Sequence, residues 1–350
     1  MFIKTDNQNY SYIGRIDWTN ENTAMFYYTG TMAIINISGT KFAVRVRNYH
    51  QHSLNQIGFV IDGVVKKADL PYDNDIHDIE LCSDLEDTEH EIIIYKTHGA
   101  HNYFEFYGII CDDNAKISKA ILPERKIECY GDSVSAGEVC EAVGFEEMHD
   151  PDGHNAKYDN AWYSFTMQSA RLLNAQIHNI AQGGIALRDN TGYYDNGRVG
   201  LETVYDKVCY LPHAQSGYTQ WDFSKYIPDV VIIAIGQNDP HHEGFDDYDI
   251  ADTDYRRIWK DSYLELLKNL RTHYPKACFV LCTTVLMHSD EWDKAIEEVR
   301  EEANDSKIFK FNFSRNGKAT PGHPRISEQT EMAAELSQFI NSLGTIAFEK

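Results

Sequence analysis

A chain of 350 residues, 42% hydrophobic and 25% charged, can bury a sizeable core; at about 150 residues per domain it predicts roughly two domains, which excludes one short module and wholesale disorder. Thirty-two Lys and Arg against 54 Asp and Glu leave a net charge of −22, a field that repels phosphate backbones and anionic lipid surfaces, so neither nucleic acid nor a membrane is an expected partner. No run approaches the roughly 18 apolar residues needed to cross a bilayer, and the first residues, MFIKTDNQNY, lack a secretory h-region; as read the chain is expected in the cytoplasm, and a trimmed signal would make it secreted.

Residues 10–113 read as short strands between turn signals. Phe26-Tyr27-Tyr28 precedes a Thr-Gly turn, Met32 to Ile37 ends at Ser38-Gly39, and Phe42 to Arg47 alternates apolar and polar. Gln56 to Val60 and Val64 to Lys66 flank Asp62-Gly63, a strong hairpin signal. Asp78 to Cys82, Glu91 to Tyr95 and Tyr103 to Cys111 follow. With no helix-period segment among them, residues 1–114 are expected to form an all-β, jelly-roll-like sandwich, and 115–123 a linker.

From Lys126 onward apolar strands alternate with helix-period segments. Strands are predicted at Ile127 to Tyr130, Gln176 to Ile180, Val230 to Ile235, Cys278 to Val285 and Ile308 to Phe313. Helices are predicted at Asn160 to Asn174, Tyr255 to Tyr274, Ser289 to Ala303 and Ser327 to Leu343, the last capped by the turn that Ser327, Glu328 and Thr330 begin. Residues 124–350 therefore predict a flavodoxin-like α/β domain, a parallel sheet in three layers, whose ligands bind beyond the C-terminal strand ends. The seven cysteines are odd in number, scattered and mostly inside apolar stretches, and read as buried free thiols.

The unusual residues fall at those strand ends. The first strand runs into Gly131-Asp132-Ser133, which sets Ser133 just past the sheet edge, where a serine can be a nucleophile or a turn residue. The second ends at Gly183-Gly184 and the third in Gly236-Gln237-Asn238-Asp239; a glycine N–H and an Asn carboxamide are the donors an acyl-transfer site needs to hold a developing oxyanion. Gly322-His323-Pro324, just before the last helix, brings an imidazole to the same rim.

Taken together, Gly-Asp-Ser, the glycine block, Gly-x-Asn-Asp and His-Pro occur in order, one per strand end. The sequence resembles the SGNH (GDS-type) hydrolase superfamily, and with its β-rich front half it looks like a carbohydrate esterase family 2 acetyl esterase. The resemblance implies a deacetylase of plant polysaccharides or derived oligosaccharides, several members preferring a 6-O-acetyl group, with an acetylated carbohydrate as partner and no cofactor or metal. It makes Ser133 the nucleophile and His323 the base. The oxyanion hole is then the Ser133 and Gly184 N–H groups with the Asn238 side chain, Gly183 remaining the alternative to Gly184.

One departure stands out. The family's acid precedes the histidine by two or three residues, where this chain has Pro321 and Thr320. An acid fixes the tautomer and stabilises the imidazolium, and a backbone carbonyl can do the first. A Ser-His dyad with the Pro321 carbonyl on His323 Nδ1 is therefore expected, with a carboxylate from elsewhere as the competitor. Asp132, Tyr193, Tyr194 and Trp259 are read as substrate contacts, and Trp221 as a further sugar platform. His241-His242-Glu243 with Asp246, Asp247 and Asp249 reads as an acidic rim loop, and Asp150 to Asn155 lacks the full ligand pattern of a calcium loop. Two other functions stay open: an esterase or thioesterase for a non-sugar acyl group, and a carbohydrate-binding protein with a decayed site.

Overall fold

In the computed structural model, which describes residues 1–49, 54–99, 102–210, 218–316 and 321–348, the alternating segments of the front half form two six-stranded sheets. One is ordered Ile16–Asp17, Ala24–Phe26, Tyr103–Cys111, Phe42–Tyr49, Ile76–Cys82, with Phe2–Lys4 also on Tyr103–Cys111. The other is ordered Ile117–Ser118, Met32–Gly39, Thr88–Lys96, Gln56–Ile61, Val64–Asp69, with Ser11–Ile13 beside Met32–Gly39. Every pairing is antiparallel. Inward residues of both sheets, among them Phe42, Val44, Phe104 and Phe106 from one and Ile35, Ile57, Phe59 and Ile92 from the other, share one core. The Asp62-Gly63 turn is as the sequence predicts, both residues in the left-handed region (φ 49° and 81°) that a two-residue hairpin demands.

The second half builds a five-stranded parallel sheet, labelled here β1 (Arg125–Gly131), β2 (Ala175–Ala181), β3 (Val230–Ala234), β4 (Cys278–Cys282) and β5 (Ile308–Phe311), in the order β2-β1-β3-β4-β5. Every residue of β3 and β4 is buried, which is why these strands read as continuous apolar runs without alternation. Among the described residues this half holds the single helical turn Leu201–Val204 and five helices labelled here α1 (Ser133–Ala136), α2 (Phe165–Leu172), α3 (Thr253–His273), α4 (Asp290–Ala303) and α5 (Ile326–Ser342). The strand order reverses beside β1, so the rim above β1, β2 and β3 is where such a sheet opens a ligand crevice. By its contacts the chain divides into two units, residues 1–122 with 208–220 and residues 123–207 with 221–350. All seven cysteines are free, and all but Cys82 are buried.

Of the element ends that differ from the sequence reading, three have a clear local reason. The helix expected from Asn160 starts at Phe165 because the Ser164 side chain accepts from Met167 N and caps it, leaving Ala161–Tyr163 as a separate 3-10 turn. The β4 ladder stops at Cys282, since the N–H groups of Val285 and Leu286 turn to Gln237 Oε1 at 3.0 and 2.8 Å. Helix α5 begins at Ile326 with Arg325 as its N-cap, because Glu328 Oε2 accepts the Arg325 N–H at 2.9 Å.

The end of β1 has no room for a side chain. A Cβ at Gly131 would overlap Ser135 Oγ and Cβ, and Ser135 is fully buried in the turn that follows. Gly131→Ala is therefore expected to cost about 1–3 kcal/mol through overpacking, read as a lower urea midpoint with unchanged slope. An unaltered midpoint would mean that the turn has slack the packing does not show.

Candidate active site

Ser133 opens α1 directly after β1. Asp132, extended at the N-cap, accepts Val134 N–H on Oδ1 at 3.0 Å, and Gly137 ends the single turn in the left-handed region at φ 78°. Ser133 is almost buried, 7% exposed. Asp132 is fully buried, and both of its carboxylate oxygens accept from Gln237 Nε2, at 2.8 and 2.7 Å. Burial pushes it up to about 6 against those hydrogen bonds. Expected as a substrate contact, Asp132 instead ties the β1 end to the β3 end, because its oxygens are spent inside the protein.

The oxyanion donors expected from the sequence are free to act. The Gly184 N–H finds no acceptor among the described residues. Its peptide is pinned: the Gly183 carbonyl accepts from Gln182 Nε2 at 3.0 Å, and the Gly184 carbonyl accepts the N–H groups of Tyr193 and Tyr194 at 2.8 and 3.0 Å. Gly184 sits at φ 75°, while the Glu138 carboxylate occupies the space a Cβ would need at Gly183, so each glycine has its own reason. Asn238 Nδ2 donates one hydrogen to the Ile185 carbonyl at 2.9 Å, which aims the amide and leaves its second hydrogen unused. The neighbouring Asp239 is fully buried, accepts from Leu187 N at 3.0 Å and Trp259 Nε1 at 2.7 Å, and is raised by burial to about 7.

His323 departs from the sequence expectation. Its Nδ1 lies 2.7 Å from Asp150 Oδ2, and its N–H donates to Asp150 Oδ1 at 3.0 Å. The Pro321 carbonyl is therefore not the acceptor on Nδ1; a carboxylate from the insertion after α1 takes that place. Gly322 makes the approach possible, because a Cβ there would overlap Asp150 Oδ1 and the Asp150 backbone nitrogen. Thr320 lies outside the described residues. Arg325 Nη1 donates to Asp150 Oδ1 at 2.7 Å. Burial opposes both charges, but the hydrogen bonds to His323 and Arg325 outweigh it and hold Asp150 well below the usual carboxylate range. Likewise burial opposes the imidazolium, and the Asp150 hydrogen bond with the charges of Glu138 and Asp159 still raises His323 above its usual value.

The nucleophile and histidine elements meet through α5. Gln329 Nε2 donates to the Val134 carbonyl at 3.1 Å, and Ile326 N to the Cys140 carbonyl at 2.9 Å; the His323 charge also acts on Asp132. The expected sugar platforms separate by burial. Tyr193 is 60% exposed and stacks flat on His241, centroids 4.0 Å apart. Tyr194, Trp221 and Trp259 are buried, Trp259 completely, so for these three the packing role wins over ligand contact. In the acidic rim loop His241 lies 3.3 Å from both Glu243 and Asp247, and His242 stacks on Phe245 and Tyr248.

Residues 12–120 match the model for the carbohydrate esterase 2 N-terminal domain. The chain is 28% identical over 355 residues to the cellulase/esterase CelE of Acetivibrio thermocellus, covering 97% of this chain and 40% of that protein. It is 24% identical over 330 residues to an acetylxylan esterase / glucomannan deacetylase of Cellvibrio japonicus, covering 93% and 86%. A family two carbohydrate esterase from Clostridium thermocellum, solved with cellohexaose, superposes with a TM-score of 0.80 at 25% identity over 96% of this chain and 99% of that one. The chain resembles carbohydrate esterase family 2 over nearly its whole length. The chain spans well under half of one of these curated relatives and most of the other.

The Asp150 contact makes a prediction for titration. The anion favours the charged imidazole, so His323 followed by NMR should titrate above its ordinary value of about 6.5, and Asp150→Asn should move it downward. A histidine unmoved by that substitution would disconnect the two groups.

Proposed function

We propose that this esterase removes O-acetyl groups from plant polysaccharides or their oligosaccharides through a Ser133-His323-Asp150 triad. The observation that carries the reading is the Asp150 carboxylate on His323 Nδ1 at 2.7 Å, which leaves Nε2 as the atom that can take a proton from Ser133. Ser133 Oγ attacks the acetyl carbonyl and its proton passes to His323 Nε2. The oxyanion gathers on the Ser133 and Gly184 N–H groups and the spare Asn238 hydrogen. Collapse expels the sugar hydroxyl, which takes the proton from His323 and leaves acetyl-Ser133. Water, deprotonated by His323, then releases acetate and restores the serine. The exposed face of Tyr193, whose N–H is bonded to the Gly184 carbonyl, suits stacking on a pyranose ring beside the ester.

The carbohydrate substrate is supported by the Cellvibrio japonicus relative, named for acetylxylan and glucomannan, and by the similar esterase solved with cellohexaose. Within that class the resemblance favours acetyl on a primary 6-hydroxyl, testable by NMR of the products from acetylated glucomannan.

The triad reading is tested with p-nitrophenyl acetate, butyrate and octanoate. Acetate should be preferred, and Ser133→Ala and His323→Ala should each remove most turnover, the double variant losing little more, because the two act as one unit. Losses that multiply would break that unit. Asn238→Ala removes one oxyanion donor and should lower kcat on the order of 10²–10³-fold; a variant as fast as wild type would take Asn238 out of the site.

A further inference from the structure

The acid of this site is 173 residues away from its histidine in the chain, on an insertion and not on the turn that carries His323. A carboxylate delivered from such a segment orients an imidazole only if the segment itself is held. Among the described residues Ser327 Oγ donates to Glu146 Oε1 at 2.5 Å and Arg315 lies 3.9 Å from Glu147, both at the surface, and the buried part of the hold gathers on one side chain. Arg325 is fully buried, one of the largest side chains with no exposure, and a buried guanidinium is unfavourable unless all five of its N–H groups find acceptors. Nη1 donates to Asp150 Oδ1 at 2.7 Å and to the His323 carbonyl at 2.6 Å. Nε donates to the Phe145 carbonyl at 3.3 Å, and Nη2 to the carbonyls of Met148 and His149, both at 3.4 Å. Every acceptor belongs either to the segment 145–150 or to His323. The Arg325 backbone is fixed in turn by Glu328, which accepts its N–H at the start of α5.

We propose that Arg325 is a positioning residue: its guanidinium clamps the 145–150 segment against the His323 turn, so that Asp150 takes the place the Pro321–His323 turn leaves without an acid. The inference rests on the triad reading above. A lysine cannot replace it, since one ammonium keeps the charge but lacks the planar fork that serves five acceptors.

Two roles for Arg325 predict opposite pH behaviour. As a mere countercharge, its removal takes a cation away from His323, whose charge is also faced by Asp150, Glu138, Asp159 and Asp132. The imidazolium would gain, and the acidic limb of kcat/KM would move to higher pH. As a clamp, its removal releases Asp150, the imidazolium loses its closest partner, and the limb moves to lower pH, as in Asp150→Asn. Steady-state kinetics on p-nitrophenyl acetate across the histidine titration range, on the full chain with melting temperatures alongside, separate the two. Wild type is compared with Arg325→Gln, Arg325→Lys, Asp150→Asn and the Arg325→Gln/Asp150→Asn double variant.

The clamp predicts that both Arg325 variants lose about 10- to 100-fold in kcat with KM nearly unchanged. It also predicts limbs displaced downward like that of Asp150→Asn, and a double variant no slower than Asp150→Asn. Arg325→Lys, which keeps the charge, carries the test if Arg325→Gln does not fold. A folded Arg325 variant with wild-type kcat, an upward displacement of the limb, or losses that multiply in the double variant would overturn the clamp. Wild-type turnover in Asp150→Asn would instead overturn the triad reading on which it stands, and the two failures are told apart by that single variant.

Discussion

A histidine that is to act as a base needs its far nitrogen held, and for His323 the hold comes from a distance. With Pro321 and Gly322 ahead of His323, the turn that brings the imidazole to the rim brings no carboxylate with it. Asp150 enters from the other side, and the absence of a side chain at Gly322 lets it in. An anion placed there is favourable only with compensation, since burial opposes its charge. It receives a bond from His323 Nδ1, one from the His323 backbone and one from Arg325. Those three contacts join the insertion after α1, the His323 turn and the start of α5 into one piece.

The rest of the rim follows the same logic, in which polar side chains lock the strand ends without facing the ligand. Gln237 is the clearest instance. Its amide nitrogen holds both oxygens of Asp132 at the end of β1, and its carbonyl holds the backbone after β4. Asp239 joins the backbone after β2, at Leu187, to Trp259 of α3. Burial raises both carboxyls, to about 6 and about 7, against the hydrogen bonds each accepts. A site whose donors are fixed before substrate arrives has little reorganisation left for the reaction itself, and this is how backbone and amide donors become effective toward an oxyanion.

Much of this was legible in the sequence where a pattern is local. The Asp62-Gly63 hairpin, the β3 run and the strand-end positions of Ser133, Gly184, Asn238 and His323 depend on spacing and turn chemistry, which the chain displays directly. Partners supplied across the fold were not legible. Asp150 sat in a segment that resembled a weak calcium loop, and nothing within 150–155 points to a histidine far along the chain. The readable traces were Gly322, a glycine where a turn alone needs none, and Arg325, a cation immediately ahead of the last helix. The aromatic residues failed for a related reason: Tyr193 and Tyr194 are neighbours, yet one stacks outward on His241 and the other is buried. Trp259 looks like a platform until its indole is seen bonded to Asp239.

The most direct test of a triad completed by Asp150 is the reactivity of Ser133 itself, because an activated serine is phosphonylated by a fluorophosphonate far faster than an ordinary one. Intact protein would be labelled, the adduct mapped by peptide mass spectrometry, and the labelling rate compared between wild type and Asp150→Asn. The account predicts a single adduct on Ser133 that forms much more slowly in Asp150→Asn. An adduct elsewhere, or labelling of Asp150→Asn at the wild-type rate, would contradict it.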